Sequence, residues 1–136
     1  MTNLKGGMVI GQSGGPTAVI NNSVYGAVQE AMRHDEIDNI YGMLHGIEGF
    51  LQEDLVDLRQ ENPSTLEGLR LTPSAALGSC RYKLTDQDYQ QIVEICKAHN
   101  IRYFFYIGGG DTMHNTHEIG RLAAESNHEM RVMGIP

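Results

Sequence analysis

The sequence is poor in positive charge and in cysteine, and it contains no long apolar run. Ten Lys and Arg face 17 Asp and Glu, for a formal charge of −7 and a pI near 5.2. That balance argues against a nucleic-acid surface and against an anionic membrane partner. A phosphate-binding site in such a chain must be local and built from loops. The two cysteines, Cys80 and Cys96, lie on segments of different character and lack C-x-x-C spacing, which reads as a reducing compartment with no zinc site. No stretch approaches the roughly 18 continuous apolar residues of a membrane span, and MTNLKGGMVIG at the start lacks the apolar centre of a signal peptide. A soluble, cytoplasmic protein is expected. The rest is ordinary globular composition: 136 residues, 40% hydrophobic and 20% charged, enough for one domain with a real core. Several of the 16 glycines stand beside apolar runs, where turns and ligand loops form.

Met8-Val9-Ile10 is an apolar run stopped by Gly11, and GQSGGPT, residues 11–17, reads as a loop. Beyond it Val24, Ala27, Val28, Ala31 and Met32 form one face of a helix reaching about His34. Asn39 to Leu44 is compatible with a strand, whereas Gly46 to Arg59 has no clean period and reads as loop with room for a short strand. Pro63 and Ser64 open a short helix to about Leu71, followed by the irregular TPSAALGSCRYK. Thr85 is an expected N-cap with Asp88 three residues on, and Tyr89, Ile92, Val93 and Cys96 share a face, the clearest helix in the chain. Ile101 to Ile107 fits a strand buried on both faces. A glycine loop, a helix from roughly Thr112 to Ser126 and a strand from Arg131 to Ile135 follow. The alternation predicts an α/β fold, a parallel sheet with helices on both faces. Ligands bind such sheets at the carboxyl ends of the strands, so both glycine loops are expected on the same edge. The sequence has no internal repeat and no low-complexity linker. It stops at Pro136 directly after an expected strand, where a further functional loop is due, so a truncated chain is expected.

The stretch FFYIGGGDTMHNT, residues 104–116, carries the sharpest chemistry. Three glycines leave the backbone bare, and the following helix offers unpaired N–H groups to an anion. Asp111 repels that anion unless a metal or a cationic side chain intervenes, and it fits a helix cap as well as a ligand-facing carboxylate. GQSGGPT lacks the Lys of the GxxxxGK[ST] phosphate loop and is not GxGxxG, so its glycines alone read first as a tight turn. Arg81, in LGSCR, fits a solvated side chain as well as a phosphate contact. His114 and His117, spaced i, i+3 without a third ligand nearby, read as surface or helix-packing histidines.

In combination these pieces point further. SGGPTAVINNS (13–23), LGSCR (77–81) and IGGGDTM (107–113), in this order and on these elements, resemble the phosphofructokinase family, most closely its pyrophosphate-dependent branch. YGMLHGIEGFL (41–51) also looks like that family's strand and glycine turn, so the resemblance covers nearly the whole chain. It implies a phosphofructokinase-like, Rossmann-type N-terminal domain, with residues 1–136 as the phosphoryl-donor-binding part and the remainder of the enzyme outside this chain. Carried over residue by residue, it puts Gly14 and Gly15 at the donor phosphates and Arg81 on the transferred phosphoryl group. Gly109, Gly110 and Asp111 belong to the donor loop, with Thr112 and Met113 at the helix start, their N–H groups facing the donor. Arg81 and Asp111 are the residues it assigns to catalysis. ATP users of the family are expected to read GGDG, and pyrophosphate users to carry an acid at the fourth position. Here the four residues are Gly108, Gly109, Gly110 and Asp111, so Asp111 stands where a carboxylate would overlap the α-phosphate of ATP and exclude it. Gly110 departs from the pattern, because the family generally has there an Asp, or in some members an Asn, associated with Mg²⁺. Either donor phosphates and water hold the metal, or Asp111 takes part, or activity is impaired.

The implied reaction is transfer of a phosphoryl group from pyrophosphate to O1 of fructose 6-phosphate. It gives fructose 1,6-bisphosphate, reversibly and with Mg²⁺, as a step of glycolysis in a homo-oligomer, a dimer or tetramer. The catalytic base and the sugar pocket are expected after Pro136, so the chain by itself is expected to be inactive. One rival reading is an ATP-dependent 6-phosphofructokinase, to be separated by residue 137, Lys for pyrophosphate and Gly for ATP. Another is a non-catalytic donor-binding regulatory subunit, which Gly110 keeps open. A GGDGT-type kinase acting on a dinucleotide or lipid is a more distant reading, opposed by LGSCR and SGGPTAVIN.

Overall fold

The structure is a computed structural model that describes residues 4–12, 18–44, 46–60, 84–108 and 110–135, without the side chains of 18–23, 60, 110 and 111. Its first strand, β1 (Gly6–Gln12), is buried at all seven positions and forms the middle of a five-stranded sheet. After β1 come α1 (Ala18–Ala31), β2 (Ile37–Met43), α2 (Gly46–Leu51), β3 (Leu55–Asp57) and a single 3-10 turn at Leu58–Gln60. The second half contains α3 (Asp86–Ala98), β4 (Ile101–Ile107), α4 (Gly110–Glu125) and β5 (Arg131–Ile135). Across the sheet the order is β3-β2-β1-β4-β5. The chain winds outward from β1 in one direction, then restarts on the other side, so the direction of winding reverses between β1 and β4.

Side chains alternate across the strands and divide the core in two. Val9, Met43, Phe104 and Tyr106 pack with Ile47 and Phe50 of α2, Tyr89, Ile92, Ile95 and Cys96 of α3 and Ile119 of α4. Met8, Ile10, Ile40 and Ile107 face the other way, onto Val24, Val28 and Ala31 of α1. Helices therefore cover both faces of a mostly parallel sheet, as the alternation of elements predicts. α3 begins where the sequence places it. Thr85 N–H donates to Asp88 Oδ2 at 3.0 Å and Asp88 N–H donates to Thr85 Oγ1 at 3.3 Å, the reciprocal pair of a capping box. Burial pushes the Cys96 thiol up to about 12, so it is an inert core group.

Three expectations need correction. Gly46 to Arg59 does contain the short strand it had room for, β3, but the rest is not loop: α2 precedes that strand and the 3-10 turn begins right after it. α2 lacks a helical period because it is only six residues and two of them are glycines. Gly46 adopts φ 64°, which glycine tolerates without strain, and a Cβ on Gly49 would run into the carbonyl oxygen of Leu44. Burial of Ile47 and Phe50, not propensity, makes this helix. The sheet is also mixed, because β3 runs antiparallel to β2. Leu44 N–H donates to Asp54 O at 3.1 Å and Asp54 N–H to Gly49 O at 2.9 Å, which folds the chain straight back beside β2 instead of over the sheet. α1 ends at Ala31, one turn before the expected His34. The expected short helix at 63–71 lies outside the described residues.

A candidate anion site at the sheet's carboxyl edge

β1 and β4 end side by side. Gln12 is in register with Ile107, and Ile107 in register with Ile135 of β5, so three parallel strands release the chain along one line. The segments after β1 and after β4 leave from adjacent positions at the point where the winding reverses, the crevice in which open α/β sheets bind ligands. Both glycine loops thus start on the same edge, as the strand-loop-helix pattern predicts. Gly14, Gly15, Arg81 and Gly109 themselves lie outside the described residues.

α4 supplies the site's chemistry. It starts at Gly110, two residues earlier than the expected Thr112, and runs 16 residues. Its first N–H groups have no partners within the helix and, with the helix dipole, form a seat for an anion. Asp111 belongs to that first turn by position. Thr112 is only 3% exposed, so it is packed into the fold and anchors this turn from within.

The start of α4 is held from two sides. Gly108 N–H donates to Ile135 O at 3.0 Å, tying the loop to the end of β5, and Thr116 Oγ1 donates to Met113 O at 2.8 Å. From α3, the Tyr89 hydroxyl donates to Asn115 Oδ1 at 2.7 Å. Burial, with the nearby Glu118 and Asp86, raises the Tyr89 pKa above its ordinary value, so the phenol stays protonated as a donor. Asn115, Thr116 and Gly134 were not singled out in the sequence, and Tyr89 only as part of a helix face, because they meet only through tertiary packing. Gln12 was passed over as well, although a fully buried amide at the last position of a central strand belongs to the same edge. His114 and His117 are exposed on α4. Among the described residues no group of three or more His, Cys, Asp or Glu stands close enough to hold a metal ion, and no helix is long and apolar enough to cross a membrane.

A doubly wound α/β domain with an anion-accepting helix start at its switch point defines the class. The chain belongs to the phosphofructokinase family, whose model matches residues 7–136. The pyrophosphate--fructose 6-phosphate 1-phosphotransferase of Rhodospirillum rubrum is 43% identical over 132 residues, 97% of this chain and 33% of that protein. The crystal structure of pyrophosphate-dependent phosphofructokinase from Nitrosospira multiformis superposes with a TM-score of 0.90 at 40% identity, covering 96% of this chain and 33% of that one. The enzyme of the same name from Marinobacter aquaeolei gives a TM-score of 0.91 at 39% identity, with the same coverage. The chain therefore spans about a third of the length of the relatives it matches.

Proposed function

We propose that this chain is the phosphoryl-donor-binding part of a pyrophosphate-dependent 6-phosphofructokinase, a soluble glycolytic phosphotransferase. The intact enzyme would transfer a phosphoryl group from pyrophosphate to O1 of fructose 6-phosphate. The observation that carries this reading is that β1 and β4, the strands from which the two glycine-rich segments start, end side by side at the switch point, in a chain 43% identical to a relative named for that reaction. Phosphoryl transfer requires placement and charge neutralisation more than covalent chemistry. In this assignment the amides of Gly14, Gly15 and the loop 109–113 cradle the donor, with the first turn of α4 set against its charge. Arg81, a planar fork suited to phosphate oxygens, holds the transferred group and stabilises the charge that develops on it. Asp111 stands against a third phosphate and so selects pyrophosphate over ATP.

Mg²⁺ is commonly held by one or two carboxylates together with substrate phosphates and water. The start of α4 at Gly110 puts residue 111 in the first helical turn at this edge, which fits an ion arriving on pyrophosphate with Asp111 as the protein carboxylate. Such an ion would neutralise phosphate charge; the backbone amides and Arg81 do the rest of the positioning. The base toward the sugar hydroxyl and most of the sugar pocket are assigned beyond residue 136, and the assembly to a homodimer or homotetramer.

A coupled assay of the full-length gene product with fructose 6-phosphate and Mg²⁺ tests the reading, using pyrophosphate in one arm and ATP in the other. Turnover with pyrophosphate well above that with ATP is expected. Preference for ATP would overturn the donor assignment, and turnover with neither would favour a donor-binding regulatory subunit.

A further inference from the structure

We propose that the Met113 side chain and Gly134 form a positioning lock that fixes the anion-facing turn of α4 against the end of β5. The proposal rests on the donor-site reading above and adds to it a side chain that the resemblance does not assign. A Cβ built on Gly134 would lie 2.5 Å from both Sδ and Cε of Met113 and 3.1 Å from Thr116 Oγ1. The thioether therefore occupies the space over Gly134 that any other residue would fill. Thr116, whose hydroxyl holds the Met113 carbonyl at 2.8 Å, closes the same contact from the next turn. One residue beyond Gly134, the Ile135 carbonyl accepts from Gly108 N–H at 3.0 Å. Two successive residues of β5 thus grip the loop before α4 and the first turn of α4.

Methionine is suited to this place: unbranched and flexible, it moulds itself to a surface that has no side chain of its own. The same flexibility determines what Gly134→Ala does. The added methyl does not push the helix away but evicts the thioether, which can swing aside, so the contact between helix and strand is lost. Met113→Ala loses the identical contact from the other partner. The two substitutions therefore share one effect, and combining them adds little.

The test uses the full-length protein with Gly134→Ala, Met113→Ala, the double variant and Met113→Leu, each checked for folding by thermal melting. Because the contact places the amides that hold the donor, each alanine substitution should weaken donor binding and raise the KM for pyrophosphate on the order of tenfold, comparable to losing about one hydrogen bond. The KM for fructose 6-phosphate should stay unchanged, the double variant should be no worse than the poorer single, and Met113→Leu, which keeps the apolar contact, should resemble wild type. Additive losses, or both KM values rising together, overturn the lock. Amide hydrogen exchange over residues 110–116 is measured on the same proteins as a readout independent of turnover. If wild type turns over neither donor, the donor-site reading fails, and the lock is then decided by whether both single variants, but not their combination relative to them, speed that exchange. Unchanged exchange refutes it.

Discussion

Replacing Phe104 and Phe50 by leucine, singly and together, measures how far one ring contact holds α2 to the sheet. Phe104 is fully buried in the middle of β4, in register with Val9 of β1. Its ring meets that of Phe50 with centroids 5.6 Å apart and planes at 85°, the edge-to-face arrangement that aromatic pairs favour. A leucine in either place keeps most of the apolar volume, so repacking costs up to about 1.5 kcal/mol. The lost ring–ring geometry adds about 0.5 to 1.5 kcal/mol beyond burial. Each single variant should therefore lose about 0.5 to 3 kcal/mol. The double variant loses the pair only once, so it should fall short of the sum of the singles by about 0.5 to 1.5 kcal/mol. Urea unfolding at 25 °C followed by far-UV circular dichroism provides the four free energies, provided the m value stays constant. Losses that add to within about 0.3 kcal/mol would refute the pair term and leave α2 held by buried area alone.

Three further outcomes are expected. Thr85→Ala removes one side of the capping box and should cost about 1 kcal/mol, with Thr85→Ser nearly neutral; equal losses from both would deny the cap its role. His128 is buried and shares a 2.7 Å hydrogen bond between Nε2 and Ile101 O. Burial, with Arg102 and Lys97 nearby, lowers its pKa below 6.5 despite that bond. The folded state then binds the proton more weakly than the unfolded one, so this contribution to stability is full above about pH 6.5 and is lost as pH falls below it. The pH profile of urea midpoints should flatten there in His128→Gln, and an identical profile would sink the assignment. Asp111→Gly in the full-length enzyme should raise efficiency with ATP while lowering it with pyrophosphate; parallel losses of both at every Mg²⁺ concentration would leave Asp111 only a first-turn acid favoured by the helix dipole, not the cap the sequence suggested, since α4 starts at Gly110.

Legibility along this chain follows the range of the interactions involved. α3 was readable because its signals are local: Thr85 and Asp88 are three residues apart, and Tyr89, Ile92, Val93 and Cys96 repeat at helical spacing. β4 and β5 were readable for the same reason, as apolar runs of strand length, and β5 coincides with the expected Arg131 to Ile135. α2 was not, since Gly46 and Gly49 argue against helix and only the packing of Ile47 and Phe50 on the sheet outweighs them. The direction of β3 was hidden too, because a three-residue strand carries no mark of its orientation and the return is set by hydrogen bonds among Leu44, Gly49 and Asp54. At the site, two glycine loops on one edge could be inferred from alternating elements alone. The seat of Met113 on Gly134 could not, because the two residues lie on different elements and neither shows its partner in the sequence.

The charge of the chain bears on why the proposed donor site would take this form. With 17 acidic residues against 10 basic ones, no broad positive field draws a polyanion in, so attraction has to arise within a few ångströms of the ligand. Helix dipoles act over that range, falling off within the first turn. A dipole is useful only if its end is fixed where the anion sits. Three successive glycines at 108–110 offer no side chains for anchoring such an end. Rigidity must therefore come from behind the loop, and that is where the contacts of α4 are found: Tyr89 to Asn115 from α3, Ile135 to Gly108 and Gly134 to Met113 from β5. A bare loop for approach and a clamped helix behind it are complementary requirements. On the proposed reading, Gly110 deprives the donor site of a side-chain ligand but leaves the placement of α4 to the residues that hold it.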